Sequence, residues 1–75
     1  MTTYLYILTF SRESNLDIFE SMLHKFGFRY FISETDTYVI EIPGKYFELF
    51  EDILAEEYDI LDHAVYVTDQ KKMNI

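Results

Sequence analysis

Few side chains in this sequence have the type and spacing that chemistry needs. The two histidines, His24 and His63, stand far apart in the chain and in no metal-ligand spacing. His24 reads as a surface residue of a helix and His63 as the start of a strand. There is no cysteine, which removes a thiol nucleophile and any Cys-based zinc site. Ser11 and Ser14 lack a histidine signature and read as a loop residue and a helix cap. Two glycines are too few for a phosphate-cradling loop. Arg12, with Ser14 and Asn15 after it at a helix start, offers an anion site with the backbone N–H groups there. The competing reading of Arg12 is a solvated loop arginine paired with Glu13 or a neighbour. This inventory assigns no catalytic residue, no metal and no cofactor.

What remains is carboxylate. The stretch FELFEDILAEEYDIL (47–61) holds Glu48, Glu51, Asp52, Glu56, Glu57 and Asp59 with no lysine or arginine. Residues 1–43 carry six acids and three bases, net −3; residues 44–62 carry seven acids and one base, net −6; residues 63–75 carry net +1. Most of the chain's −8 is therefore local to one helix and its exit. Glu48, Asp52 and Glu56 fall at i, i+4 and i+8, with Glu51 and Asp59 bordering the row. Like charges at that spacing cost a few tenths of a kcal/mol per pair, and Asp59 and Asp62 oppose the dipole at the helix end. A helix shaped for stability alone would interleave lysine.

Three readings of that helix compete. It is a solvated acidic face, a docking surface for a basic protein groove, or a cation site. The last lacks the oxygen-ligand spacing of an EF-hand loop. A strong form of the second is mimicry of nucleic acid. Carboxylates four residues apart are about 6 Å apart along the axis, against a duplex charge every ~1.7 Å, so the row imitates a charged stripe rather than a phosphate register.

The elements that position these residues follow from periodicity. TTYLYILTF (2–10) reads as a strand with Tyr4, Tyr6, Leu8 and Phe10 on one face and Leu5 and Ile7 on the other, which suits a central strand. Leu16, Phe19, Met22, Leu23 and Phe26 keep helical spacing, capped by Ser14 or Asn15 and stopped by Gly27. Phe28, Tyr30 and Ile32 alternate in a second strand and Tyr38, Ile40 and Ile42 in a third, with a tight turn at 35–36. Pro43-Gly44 opens a second helix with Phe47, Phe50, Leu54, Tyr58 and Leu61 on its buried face. HAVYVTD (63–69) is the last strand, and residues 70–75 form a frayed tail. The sequence has no internal repeat, no linker and no low-complexity segment. The whole is one domain over 1–75, stabilised by seven Phe and seven Tyr in place of disulfides.

The order β-α-β-β-α-β resembles the ferredoxin-like plait, an α+β fold with a four-stranded antiparallel sheet and two helices on one face. LYILTF (5–10) resembles the first ribonucleoprotein motif of RNA-recognition domains, although its partner strand, TYVIEI, is neither basic nor glycine-containing. SNLDIFESMLHKFGF (14–28) resembles the first helix of ACT regulatory domains, with Ser14 and Asn15 where that family has glycine. Size and order are similar to small CRISPR-adaptation nucleases and to a ferredoxin-like antitoxin endoribonuclease. Thr9, Phe10 and Ser11 stand where the nucleases carry a metal-binding aspartate. The composition resembles small acidic inhibitors of phages and mobile elements, including anti-CRISPR and anti-restriction proteins.

These observations lead to an expected function. It is a non-enzymatic interaction protein, an inhibitor from a phage or mobile element, presenting Glu48, Glu51, Asp52, Glu56 and Asp59 to a basic site on a host protein. The alternative is a dimeric regulatory domain or metal-dependent endoribonuclease, with a homodimer formed through Tyr4, Tyr6 and Tyr66 if these point away from the helices. Direct nucleic-acid or anionic-membrane binding is disfavoured by the charge. The N-terminus lacks a basic n-region and a cleavage site, so the expected location is the cytoplasm.

Overall fold

The structure is a computed structural model that describes residues 2–11, 15–34, 36–56 and 60–69. Arg12, Ser14, Tyr58 and Asp59, the first residue of the 35–36 turn and the tail at 70–75 lie outside the described residues. The element order is β1 (Thr2–Phe10), α1 (Leu16–Phe26), β2 (Arg29–Glu34), β3 (Thr37–Pro43), a 3-10 turn (Gly44–Tyr46), α2 (Phe47–Ala55) and β4 (Ile60–Asp69). The chain is α+β, with four antiparallel strands in the order β2-β3-β1-β4. β1 is internal, as its two apolar faces require. Among the described residues no helix is long and apolar enough to cross a membrane.

Local chemistry explains the limits of α1. Asn15 is its N-cap, and the side-chain oxygen accepts from the Asp17 N–H at 3.1 Å. At the other end Gly27 takes φ 74°, a left-handed conformation that a side chain would strain. The Phe28 N–H reaches the Leu23 carbonyl at 3.0 Å and the Gly27 N–H reaches that of His24 at 3.1 Å, which is a Schellman stop. The stop turns Leu23 and Phe28 into the same core.

The core lies between the sheet and both helices. Tyr6, Leu8 and Phe10 of β1 and Tyr38, Ile40 and Ile42 of β3 share one sheet face, because Tyr6 pairs with Ile40 and Leu8 with Tyr38. Phe19 of α1 meets Phe10 at 4.9 Å between ring centroids, and Phe50 of α2 meets Tyr6 at 4.7 Å. Phe10, Phe19 and Tyr38 form a triangle of steeply inclined rings. Six of the ten buried core residues are aromatic, so ring geometry sets the spacing of the layers.

Two expectations change here. The homodimer face built on Tyr4, Tyr6 and Tyr66 does not exist as such. Tyr4 and Tyr6 point at the helices, where Tyr6 is fully buried and Tyr4 stacks 4.2 Å from Phe47. Tyr66 pairs with Leu5 and lies on the opposite, open face. The second helix is also shorter than its periodicity predicts. It ends at Ala55, while Leu61 belongs to β4 and is 70% exposed. Pairing of Phe10 with Ile60 and of Thr9 with Asp62 extends β4 toward the helix, and tertiary ladder bonds override the local helical pattern.

Gly44 serves a close approach. A Cβ built there would stand 2.9 Å from the Thr2 carbonyl oxygen, so Gly44→Ala must displace backbone where β1 meets the 3-10 turn. Phe50→Ala should cost about 3–5 kcal/mol. That is comparable with the whole stability of a chain this small, so urea denaturation should show the variant largely unfolded without denaturant.

Candidate functional site

The site builds from α2. Pro43 and the 3-10 turn lead the chain off β3, and Phe47, Phe50 and Leu54 then turn to the core. Geometry puts Glu48, Glu51 and Asp52 on the exposed side of the helix, with Glu56 exposed at its C-cap. Glu48 lies in the first turn, where the helix dipole favours negative charge; Glu56 lies at the end that disfavours it. The only ion pair among the described residues joins Arg29 to Glu41 at 4.0 Å, on the sheet. None of the α2 carboxylates is neutralised by a cation there.

The five sequence-predicted partner-binding residues separate into three groups. Glu48, Asp52 and Glu56 form the outward row. Glu51 has an internal task as well, because the Tyr6 hydroxyl donates to its Oε2 at 2.6 Å. Asp59 is not among the described residues. Tyr6 is a core residue whose hydroxyl needs an acceptor, and Glu51 supplies one at the helix edge. Burial pushes the Tyr6 phenol well above its ordinary range, and the hydrogen bond and negative charge of Glu51 push it further.

The same device recurs on the other helix. The Tyr38 hydroxyl donates to Glu20 Oε2, and the Tyr30 hydroxyl reaches Glu20 Oε1 at 3.4 Å. Burial, then the hydrogen bond and charge of Glu20, raise Tyr38; burial, then the Glu20 charge and hydrogen bond, raise Tyr30. His24 stands 3.1 Å from the Tyr30 hydroxyl through Nε2 and remains exposed on the helix surface. The two helices share a local pattern. LDIFESML (16–23) and FELFEDIL (47–54) both read F-E-x-x-L, with a buried Phe and a Glu that receives a core phenol. No repeat is legible in the sequence because five residues with two unmatched positions are too short a signal; the phenol contacts give the pattern its meaning.

A groove of about 290 Å³ between α2 and the start of β4 brings Glu51 and His63 together, over Leu54, Ala55 and Ile60. No spacing in the sequence links Glu51 to His63. Only the pairing of His63 with Leu8 turns that histidine to the helix side. Among the described residues no group of three or more His, Cys, Asp or Glu could hold a metal ion.

The phenols predict a pH dependence with a definite sign. Their folded-state values lie above the ordinary 10.0, so the stability they contribute is fully present below that value. It is lost as pH rises toward the folded-state values, because the unfolded chain releases these protons first. Urea midpoints should fall above about pH 10, and Tyr6→Phe with Tyr38→Phe should flatten that fall. Tyr6→Phe alone should cost about 1 kcal/mol at neutral pH, since Glu51 can be solvated once the phenol is gone.

No protein-family model, curated protein or solved structure matches this chain, so its own surface carries the functional reading.

Proposed function

We propose that this protein is a non-enzymatic interaction protein that docks the Glu48, Asp52 and Glu56 row of α2 on a basic surface of a partner protein. The observation that carries the reading is three exposed carboxylates, with no ion pair to any cation among the described residues, on a helix whose other side is fixed in the core. The Tyr6 to Glu51 hydrogen bond supports it by holding the rotation of α2, so the backbone that carries the row is placed before binding. Electrostatic attraction would speed association and weaken as salt rises.

The scaffold reads as a ferredoxin-like plait. Seen from the other edge, the strand order is β4-β1-β3-β2, with each helix linking strands that are not neighbours. An inhibitor from a phage or mobile element, acting in the cytoplasm on a host protein's nucleic-acid-binding site, is the role in which a carboxylate row stands in for phosphates. Small size, absence of cysteine and net −8 support that role.

The test is a tagged capture from host-cell lysate with wild type and a Glu48→Lys/Asp52→Lys/Glu56→Lys variant, at low and moderate salt. Wild type should retain one prominent partner at low salt and less of it at moderate salt. The variant should lose it at both. Equal recovery by the two proteins would return the row to a solvated face.

A further inference from the structure

A second polar cluster lies where α1 passes over the edge strand β2. Phe19 and Leu23 of α1 are buried, and Glu20 and His24 each follow one of them by one residue. At i and i+4 the two share one helix face, beside the core rather than in it. The Schellman stop at Gly27 returns the chain as β2, which brings Tyr30 back to that face. Tyr30 pairs with the buried Ile40, so its ring lies on the helix side of the sheet. Glu20 and Tyr30 are half-buried and His24 is exposed, so the cluster opens to solvent.

Three donor atoms converge there. The Tyr30 Oη stands 3.4 Å from Glu20 Oε1 and 3.1 Å from His24 Nε2. The other Glu20 oxygen accepts from the buried Tyr38 hydroxyl, and the Tyr30 and Tyr38 rings stack with centroids 5.9 Å apart. His24 meets Tyr30 edge-on, with ring centroids 5.7 Å apart. The His24 backbone is fixed as well, since its carbonyl accepts the Gly27 N–H. Arg29, next to Tyr30, points to the opposite sheet face, where it pairs with Glu41.

These separations are those of adjacent ligands around one metal ion. Bonds of about 2.1 Å to nitrogen and oxygen set neighbouring donors about 3.0 Å apart at a right angle and about 3.4 Å apart at the tetrahedral angle. We propose that Glu20 Oε1, His24 Nε2 and Tyr30 Oη form a binding site for a divalent transition-metal ion of the copper or zinc class. The imidazole sets that class, because calcium and magnesium take ligand sets made of oxygen. Tyr38 is a positioning residue. Its hydroxyl holds Oε2 and leaves Oε1 for the metal, as hydrogen bonds to ligating carboxylates do in metal sites. Binding releases the Tyr30 phenolic proton to solvent and leaves a phenolate oxygen on the metal. Three protein ligands keep at least one coordination position for water. The third donor is a tyrosine, so histidine, cysteine and carboxylates alone outline no such site among the described residues. A net charge of −8 attracts cations to the whole surface, and the Glu20–His24 pair with Tyr30 makes this position specific.

Copper(II) titrated into untagged protein at neutral pH, followed by visible absorption and electron paramagnetic resonance, tests the site. Wild type should take up one equivalent, with a phenolate-to-copper charge-transfer band and hyperfine coupling to one nitrogen. Zinc(II) should compete for that equivalent more weakly, following the general affinity order of divalent metals. Tyr30→Phe keeps the ring and should abolish the band. His24→Ala changes an exposed residue and should keep the circular dichroism spectrum while weakening binding by more than about tenfold. Glu20→Gln should weaken it similarly, and Tyr38→Phe by about tenfold through loss of support to the carboxylate. His63→Ala, altered at the other histidine, should bind copper as wild type does. Absence of a one-to-one complex overturns the proposal. So does binding that survives both His24→Ala and Tyr30→Phe, or that is lost in His63→Ala, because either result places the metal elsewhere on the acidic surface.

Discussion

Two buried phenols govern this molecule. Tyr6 and Tyr38 fill the layer between sheet and helices, and each must place a hydroxyl that the core cannot satisfy. Each finds a glutamate on a helix edge, Glu51 on α2 for Tyr6 and Glu20 on α1 for Tyr38. The rings supply much of the buried apolar area, and the hydroxyls set where each helix lies and how it is rotated. Carboxylates are suited to this task because their charge stays at the solvent boundary while one oxygen accepts from the interior. Burying an unpaired phenol would instead cost a large share of the stability available to so short a chain.

Rotation of the helices then decides the surface. With Phe50 and Leu54 inward and Glu51 at the boundary, Glu48, Asp52 and Glu56 have nowhere to face but solvent. All the large side chains of β1 with even numbers are consumed by the core, so the open face inherits Leu5, Ile7 and their cross-strand neighbours. One side of the protein carries the carboxylate row, and the other is built mostly from apolar side chains with fewer charges. The sheet and the helix layer separate the two, so whatever covers one leaves the other accessible.

The edge strands give the open face its shape. β2 and β4 each have a free side and each carries one large exposed aromatic on the open face, Phe31 and Tyr66. β4 is the longer, and its irregular pairing near Thr9 and Phe10 lets it begin at Ile60, close to the end of α2. The regular pairing of His63 with Leu8 turns that histidine to the helix side, into the groove that Glu51 also lines. Register on β4 therefore shapes both faces of the protein.

Periodicity determined most of the local structure. Leu16, Phe19 and Leu23 specified a helix face, Gly27 its stop, and the alternation in 28–34 and 37–42 a pair of strands; the carboxylate row at Glu48, Asp52 and Glu56 was equally plain. These signals are local, since backbone dihedrals and side-chain spacing within a few residues set them. Tertiary structure decided which face of β1 the helices cover, moving Tyr4 and Tyr6 into the core and leaving Leu5 and Ile7 outside. It ended α2 at Ala55 and gave Leu61 to β4. It also gave Glu51 a structural partner and brought His63 to its side. Each of these depends on residues distant in the chain, through ladder pairing or ring packing. A strand's own sequence shows two alternating faces, but only the packed helices determine which one is inside.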